Sequence, residues 1–426
     1  MRFVHAADIH LDSPLRGLDA YPGAPVERLR IATRQAFENL IDLCLEQQVD
    51  FLIIAGDLFD ADVKDFNAAL MAAAQLRRLK NAGIPVYLIL GNHDSREEAT
   101  KHVPWPDNVT LFDHTRPVTV RHPALPVALH GMSYPKREVL DNLVPKYPAP
   151  TAGCLNIGLL HTNAVGNAQH AAYAPCAVAE LVAKGYDYWA LGHVHDHAVL
   201  HEQPHVVYSG NTQGRHVREI GLKGCVLVSI ERSGDDYVVG KLEFRETGVA
   251  RWFQETIELG TDDDEEELFA ATRKRLQEVV SMVAGKLAAV RLEYVGRCRV
   301  HAILSDDQAR GQLDTDIRAL AADSGDDVWI EKIKFRTQPT FDLDAMRQRH
   351  DLLGRLLRDV DALAADPAPL AEMPETKELL TKIGADLTGG GEESFDFADA
   401  TRQAAWLREA EALLVSRLVI DDGGDA

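Results

Sequence analysis

The chain has 426 residues, too many for one domain of ordinary size, and 46% of them are apolar, enough to fill two or three cores. A formal charge of −21 argues against a surface that holds nucleic acid by charge alone, because such affinity comes from Lys and Arg neutralising phosphates. No apolar run reaches membrane-spanning length, and the scattered Cys44, Cys154, Cys176, Cys225 and Cys298, odd in number and without a CxxC pair, argue against a disulfide framework or thiolate zinc site.

The start, Met-Arg-Phe-Val-His-Ala-Ala-Asp, carries no signal-peptide stretch, so a cytoplasmic protein without membrane contact is expected. The charge is uneven. Residues 1–250 hold 29 Asp and Glu against 23 Lys and Arg, a net −6, and residues 251–426 hold 37 against 22, a net −15. Histidine runs the other way, with 15 of 17 at or before His216. The front part is therefore the candidate chemical domain, where bound cations would offset the negative charge.

Apolar runs predict strands at 2–7, 51–55, 86–90, 155–160 and 186–191. Between the first three, helices are predicted over 33–48, from the spacing of Phe37, Leu40, Ile41, Cys44 and Leu45, and over about 65–81, closed by Gly83 and Pro85. This β-α-β-α-β alternation implies parallel strands. Shorter strands within 109–129, then 206–208, 224–230 and 237–244, suggest a second sheet packed on the first. The expected fold is α/β, a layered β-sandwich flanked by helices, over residues 1–255. A small α/β capping domain follows at 256–338, with a helix from the acidic stretch 262–267 to about 284, a strand at 287–294, a helix at 306–322 and a strand at 328–335. Residues 339–426 read as helical: 343–363, a segment broken by Pro367, Pro369 and Pro374, the glycines at 389–391, and 399–419. In the last helix Trp406, Leu407, Leu413, Leu414 and Leu418 form an apolar stripe that packs either on the protein's own body or on a partner.

Five polar clusters stand where apolar runs stop: Asp8-x-His10, Gly56-Asp57, Gly91-Asn92-His93-Asp94, His161 and Gly192-His193-x-His195. The carboxyl edge of such a sheet is where ligands bind. Each cluster alone has an ordinary explanation, Asp-x-His and Gly-Asp as turns and His161 as a satisfied buried histidine. Five in one order, each at a strand end, do not. Phosphodiester hydrolysis at neutral pH needs an activated water, a neutralised phosphate and a stabilised leaving oxygen, which two divalent ions can supply. Nitrogen and oxygen donors without thiolate favour manganese, iron or zinc.

The order of clusters resembles the calcineurin-like metallophosphoesterase superfamily. Longer strings, Ala-Ala-Asp-Ile-His-Leu-Asp-Ser-Pro-Leu at 6–15, Ala-Gly-Asp-Leu-Phe-Asp at 55–60, Leu-Gly-Asn-His-Asp at 90–94, Gly-Leu-Leu-His-Thr at 158–162, Gly-Tyr-Asp-Tyr-Trp-Ala-Leu-Gly-His-Val-His at 185–195 and Gly-Asn-Thr-Gln-Gly-Arg-His at 210–216, resemble its DNA-repair exonucleases of the SbcD and YhaO type, YhaO more closely. The likeness is good over residues 1 to about 255 and thin beyond. It implies that Asp8, His10, Asp57 and His195 hold one ion, that Asp57, Asn92, His161 and His193 hold the other, and that Asp57 bridges. It also implies two divalent ions, Mn2+ first, and His93 as acid or transition-state donor with Asp94 orienting it. Many nucleases of the family carry His where this chain has Asp60, so no second catalytic imidazole is carried over there; Asp60 orients His10 or a metal water, or ends the turn.

The expected function is metal-dependent hydrolysis of DNA, as exonuclease or endonuclease in repair. The expected partners are DNA, an SMC-like or coiled-coil ATPase on the C-terminal helices, and a second copy of the chain. The alternative is a small-molecule phosphoesterase, a cyclic-nucleotide phosphodiesterase or nucleotidase, on the same fold; a scaffold without activity is the third. Arg215 and His216, with Arg218 beyond, are candidates for contact with the phosphodiester backbone. Tyr134, Lys136, Arg137, Lys146 and Tyr147 read as a strand-gripping loop or a plain one, and His170, His197, His201 and His205 as surface or supporting residues.

Overall fold

The computed structural model describes residues 1–15, 18, 21–60, 66–94, 103–164, 173–234, 236–325, 327–340, 343–366, 370, 373–382 and 399–420. The chain divides into two compact units: Met1–Gln254 with Val279–Arg291 and Gly325–Lys332, and Glu255–Glu278 with Leu292–Ser324 and Ile333–Ala426.

In the first unit β1 (Arg2–Ala6), α1 (Val26–Glu46), β2 (Phe51–Ala55), α2 (Phe66–Asn81) and β3 (Val86–Ile89) alternate, and the three strands are parallel, with Phe3 opposite Phe51 and Leu52 opposite Val86. Short β4 (Val109–Leu111) continues in parallel beyond β3. Successive side chains point to opposite faces. Val4, Ala6, Leu52, Ile54 and Leu88 pack with Phe37, Leu40, Ile41 and Cys44 of α1 and Ala69, Ala72 and Leu76 of α2. Phe3, Phe51, Ile53, Ala55, Tyr87 and Ile89 face the other way. Burial on both faces is why these strands read as unbroken apolar runs.

The second sheet comprises β5 (Val118–Arg121), β6 (Val127–Gly131), β7 (Leu155–His161), β8 (Tyr188–Gly192), β9 (Ala198–Glu202) and β10 (His205–Tyr208), in the order β5-β6-β7-β8-β10-β9. Its four central strands are parallel and its edges antiparallel. Leu129, Leu155, Ile157, Leu159, Tyr188, Ala190 and Val207 meet the inner face of the first sheet, and Leu160, Trp189, Leu191 and Val206 cover the outside with Leu181 of α3 (Val178–Ala183). Strands β11 (Gly224–Ser233) and β12 (Asp236–Glu246) return to the first sheet, β11 antiparallel to β1. The chain's later β-rich stretch thus divides between the two sheets, because β1 has an unpaired edge once β2 occupies the other and β11 satisfies its backbone groups. The two sheets carry the polar clusters between them: β1, β2 and β3 lead to three, β7 and β8 to the others.

Strand β13 (Ala250–Glu258), α4 (Glu265–Val283), β14 (Leu287–Arg297), α5 (Asp307–Ser324) and β15 (Val328–Gln338) follow, the strands forming a three-stranded sheet in the order β13-β14-β15. The first part of each strand belongs to the first unit and the second part to the other. The single helix expected over 343–363 is two, α6 (Leu343–Arg347) and α7 (Leu352–Ala365). Asp351 starts the second by accepting the Gly354 N–H at 2.9 Å, an N-cap. After α8 (Pro374–Lys382), α9 (Ala400–Ile420) packs on α7, and Arg347 of α6 reaches Asp361 at 2.8 Å and Glu411 at 2.7 Å. Along α9 Trp406 and Leu407 are half-buried and Leu414 is exposed; the side chains of Leu413 and Leu418, like Pro367, Pro369, His170 and residues 389–391, lie outside the described residues. No helix among the described residues is long and apolar enough to cross a membrane.

Candidate metal centre

Beyond the ends of β1 and β2 the two chains stay knitted together: Asp8 N–H donates to Gly56 O at 3.0 Å, His10 N–H to Asp57 O at 3.0 Å, and Leu11 N–H to Leu58 O at 2.9 Å. Asp8, His10, Asp57 and His193 all take left-handed backbone, with φ of 51°, 48°, 52° and 97°. Each costs a non-glycine residue on the order of 1–3 kcal/mol, and such strain gathers at functional sites. The four side chains, from the ends of β1, β2 and β8, converge on one region.

Oxygen Oδ2 of Asp57 lies 3.4 Å from His161 Nε2 and 3.8 Å from His10 Nε2, while Oδ1 accepts the His93 N–H at 2.9 Å. That hydrogen bond fixes the carboxylate so that its other oxygen faces both rings. On the His10 side, His195 Nε2 stands 3.4 Å from His10 Nε2 and 3.9 Å from Asp8 Oδ1. Across Asp57, Asn92 Oδ1 lies 3.0 Å from His161 Nε2 and 3.2 Å from His193 Nδ1. Asp8 is held by the His193 N–H, at 3.1 and 2.9 Å from its two oxygens. Second partners set the tautomers, since a carbonyl or carboxylate can only accept. His161 Nδ1 donates to Ala55 O at 3.0 Å and His195 Nδ1 to Glu219 Oε1 at 2.7 Å, so that in the neutral form each ring turns an Nε2 lone pair to the centre.

Glycines in the motifs make room for these groups. A Cβ on Gly91 would stand 2.3 Å from Asp57 Oδ1 and 2.8 Å from His161 Cε1, and one on Gly192 would meet Ala55 O at 2.1 Å. Gly91→Ala is therefore expected to cost about 1–3 kcal/mol by overpacking, read from urea unfolding, and to weaken divalent-ion binding in the same protein. A variant with wild-type stability and affinity would show that Asp57 has room to move.

His93 and Asp94 part company. The ring of His93 is paired with Asp60, Nδ1 to Oδ1 at 3.0 Å, whereas the Asp94 carboxylate accepts the N–H groups of Leu58 at 2.9 Å and Phe59 at 2.7 Å. The carboxylate bonded to the His93 ring is thus Asp60, and Asp94, expected to orient that ring, is bonded to the backbone of the β2 turn at 58–59. Asp60 also accepts from Ser13 Oγ at 2.9 Å and lies 3.9 Å from His10 Nδ1. Arg215 is nearly buried, with Nη2 2.9 Å from Glu219 Oε1 and Nη1 3.4 Å from Asp60 Oδ2; His216 is half exposed beside it. Glu219 carried no motif, and its only sequence signal is its place four residues after Arg215. Tyr134 and Tyr147 are buried and bonded to the carbonyls of His161 and Leu159, so they brace β7 and are not open stacking platforms; Lys136 and Arg137 are exposed. His197 and His201 bond the carbonyls of Tyr208 and Pro204, and His205 is half-buried on β10.

Burial raises the pKa of Asp8 from its ordinary value; burial also opposes ionisation of Asp57, but His161, His10 and His93 around it pull it well below the usual value. Burial disfavours a charged His161, yet Asp57 beside it pushes the ring up to about 9. Glu219, though buried, is held well below the usual range by Arg215 and His195. The buried carboxylates of Asp8 and Asp57 thus favour positive charge beside them, a need that the proton on His161 meets in part and that a cation replacing that proton would also meet. Asp8, His10 and His195, and again Asp8, Asp57 and His161, can each offer ligand atoms within 4.8 Å of one another. The donors are nitrogen and oxygen throughout, a set suited to manganese, iron or zinc.

Residues 1–197 match the calcineurin-like phosphoesterase family, and residues 252–338 match the middle domain of metallophosphoesterase YhaO. The uncharacterized metallophosphoesterase YhaO of Bacillus subtilis (strain 168) is 31% identical over 368 residues, 85% of this chain and 87% of that protein. The DNA double-strand break repair protein Mre11 of Methanopyrus kandleri is 28% identical over 67% of this chain and 64% of its own length. Mre11 of Saccharolobus solfataricus is 28% identical over 46% of this chain and 49% of its own. A metallophosphoesterase centre followed by a YhaO middle domain, matched along most of its length by YhaO itself, means that this chain belongs to the YhaO family of calcineurin-like metallophosphoesterases.

Proposed function

We propose that the protein is a nuclease that hydrolyses DNA phosphodiesters at a two-metal centre, in DNA repair. The observation that carries the reading is the position of Asp57 Oδ2, within 3.8 Å of one imidazole nitrogen on each side. Asp8, His10, Asp57 and His195 would hold one ion and Asp57, Asn92, His161 and His193 the other, with Mn2+ the expected metal. When bound, such a pair supplies an activated water, a neutralised phosphate and a stabilised leaving oxygen. The chain's own part is proton transfer and orientation. His93, held through Nδ1 by Asp60, delivers a proton from Nε2 to the leaving oxygen. Half-exposed His216 is the side chain offered to the phosphodiester backbone.

Likeness to Mre11 proteins, named for double-strand break repair, supports DNA as the substrate, and the YhaO-type middle domain supports a macromolecule over a nucleotide. The working form is a cytoplasmic protein, paired with a second copy and with a coiled-coil ATPase docked on α7 and α9. Purified protein incubated with Mn2+ and single-stranded, blunt or recessed DNA is expected to degrade at least one of them. Turnover of bis-p-nitrophenyl phosphate with no action on any DNA would move the assignment to a small-molecule phosphoesterase.

A further inference from the structure

Glu219 and Arg215 have no task in that reaction, yet the loop after β10 is built around them. Oxygen Oε1 of Glu219 accepts from His195 Nδ1 at 2.7 Å and Arg215 Nη2 at 2.9 Å; Oε2 accepts from the Arg215 N–H at 2.7 Å and Asn211 Nδ2 at 3.0 Å. Only 5% of the Glu219 side chain is exposed and 12% of the Arg215 side chain. All three guanidinium nitrogens face protein carboxylates: Nε lies 3.4 Å from Glu219 Oε2, Nη2 is on Oε1, and Nη1 is 3.4 Å from Asp60 Oδ2. Asp60 in turn holds His93. An unbroken chain of contacts thus runs His195, Glu219, Arg215, Asp60, His93.

We infer that Glu219 and Arg215 are positioning residues: Glu219 sets the tautomer and direction of His195, and Arg215 ties that carboxylate to the one behind His93, so that one rigid clamp holds a metal-binding ring and the proton donor. The inference rests on the roles proposed above for His195 and His93. A planar guanidinium spans two carboxylates through donors held in a fixed fork, a geometry that a compact ammonium does not reproduce. A buried carboxylate that accepts from an imidazole leaves the ring's other nitrogen free for a cation. A phosphate-binding role for Arg215 would need its donors turned toward substrate, and the structure has them turned toward Glu219 and Asp60.

Glu219→Gln, Arg215→Lys and the double variant test the clamp, with thermal melting to check that each is folded. Each single change is expected to lower kcat on bis-p-nitrophenyl phosphate by about 10- to 100-fold, with KM changed by no more than about twofold. The double variant is expected to be little worse than the poorer single, as for residues acting as a unit. Calorimetric titration of metal-free protein with Mn2+ is expected to show weaker binding in Glu219→Gln. ¹⁵N NMR of metal-free protein is expected to show His195 protonated at Nδ1 in the wild type and as mixed tautomers in Glu219→Gln. A raised KM with unchanged kcat in Arg215→Lys would make Arg215 a substrate contact and overturn the inference, as would full additivity, or wild-type Mn2+ affinity and tautomer in Glu219→Gln. If the wild type hydrolyses no diester, the proposed function fails, and the calorimetric and NMR results alone decide the clamp.

Discussion

Asp57→Ala is expected to lower phosphodiester hydrolysis by at least about 10³-fold, since metal-ion stabilisation supplies several kcal/mol and each 1.36 kcal/mol is a factor of ten. The carboxylate has three tasks in one place. Its Oδ2 faces His10 and His161, its Oδ1 accepts the His93 N–H, and its charge favours a charged His161. Removing it takes the shared ligand from both candidate ion sites at once. Thermal melting separates this from simple unfolding. Mn2+ at about 100 times its dissociation constant stabilises a binding protein by about 2.7 kcal/mol, and the wild type is expected to show that gain. Asp57→Ala is expected to fold but to gain little. Activity near wild type in this variant would remove the bridge from the account.

His93→Ala is expected to lose about 10² to 10⁴ in kcat, the usual worth of a general acid, while keeping its bound metal. The ring pairs through Nδ1 with Asp60 Oδ1 at 3.0 Å. Burial disfavours the imidazolium, but the hydrogen bond to Asp60 and the charges of Asp57 and Asp60 more than offset this, so its pKa is raised and the ring is a ready proton donor. Metal content and kcat measured on the same preparation decide the assignment. Equal loss of both would make His93 a structural group.

The five polar clusters were legible because each follows a strand buried on both faces, where a change from apolar to polar residues is abrupt. Phe51–Ala55 is the clearest case, ending as Gly56-Asp57 begins. Strand β9 went unread because Ala-Val-Leu-His-Glu is a half-exposed edge with little alternation, and α1 starts at Val26, well before 33, because Glu27, Arg28 and Arg30 hide the buried Leu29 and Ala32. The partner of His93 was illegible for another reason. Asp94 is its chain neighbour, and Asp60 reaches it only through the fold of the β2 turn against β3. Glu219 is similar: a carboxylate 24 residues from His195 becomes its partner only when the loop after β10 closes back.

The most direct measurement is anomalous diffraction from crystals of the protein soaked in Mn2+. The account predicts two peaks on either side of the Asp57 carboxylate, one among Asp8, His10 and His195 and one among Asn92, His161 and His193. No density at that carboxylate, or a single ion that leaves His161 and His193 uncoordinated, would contradict it.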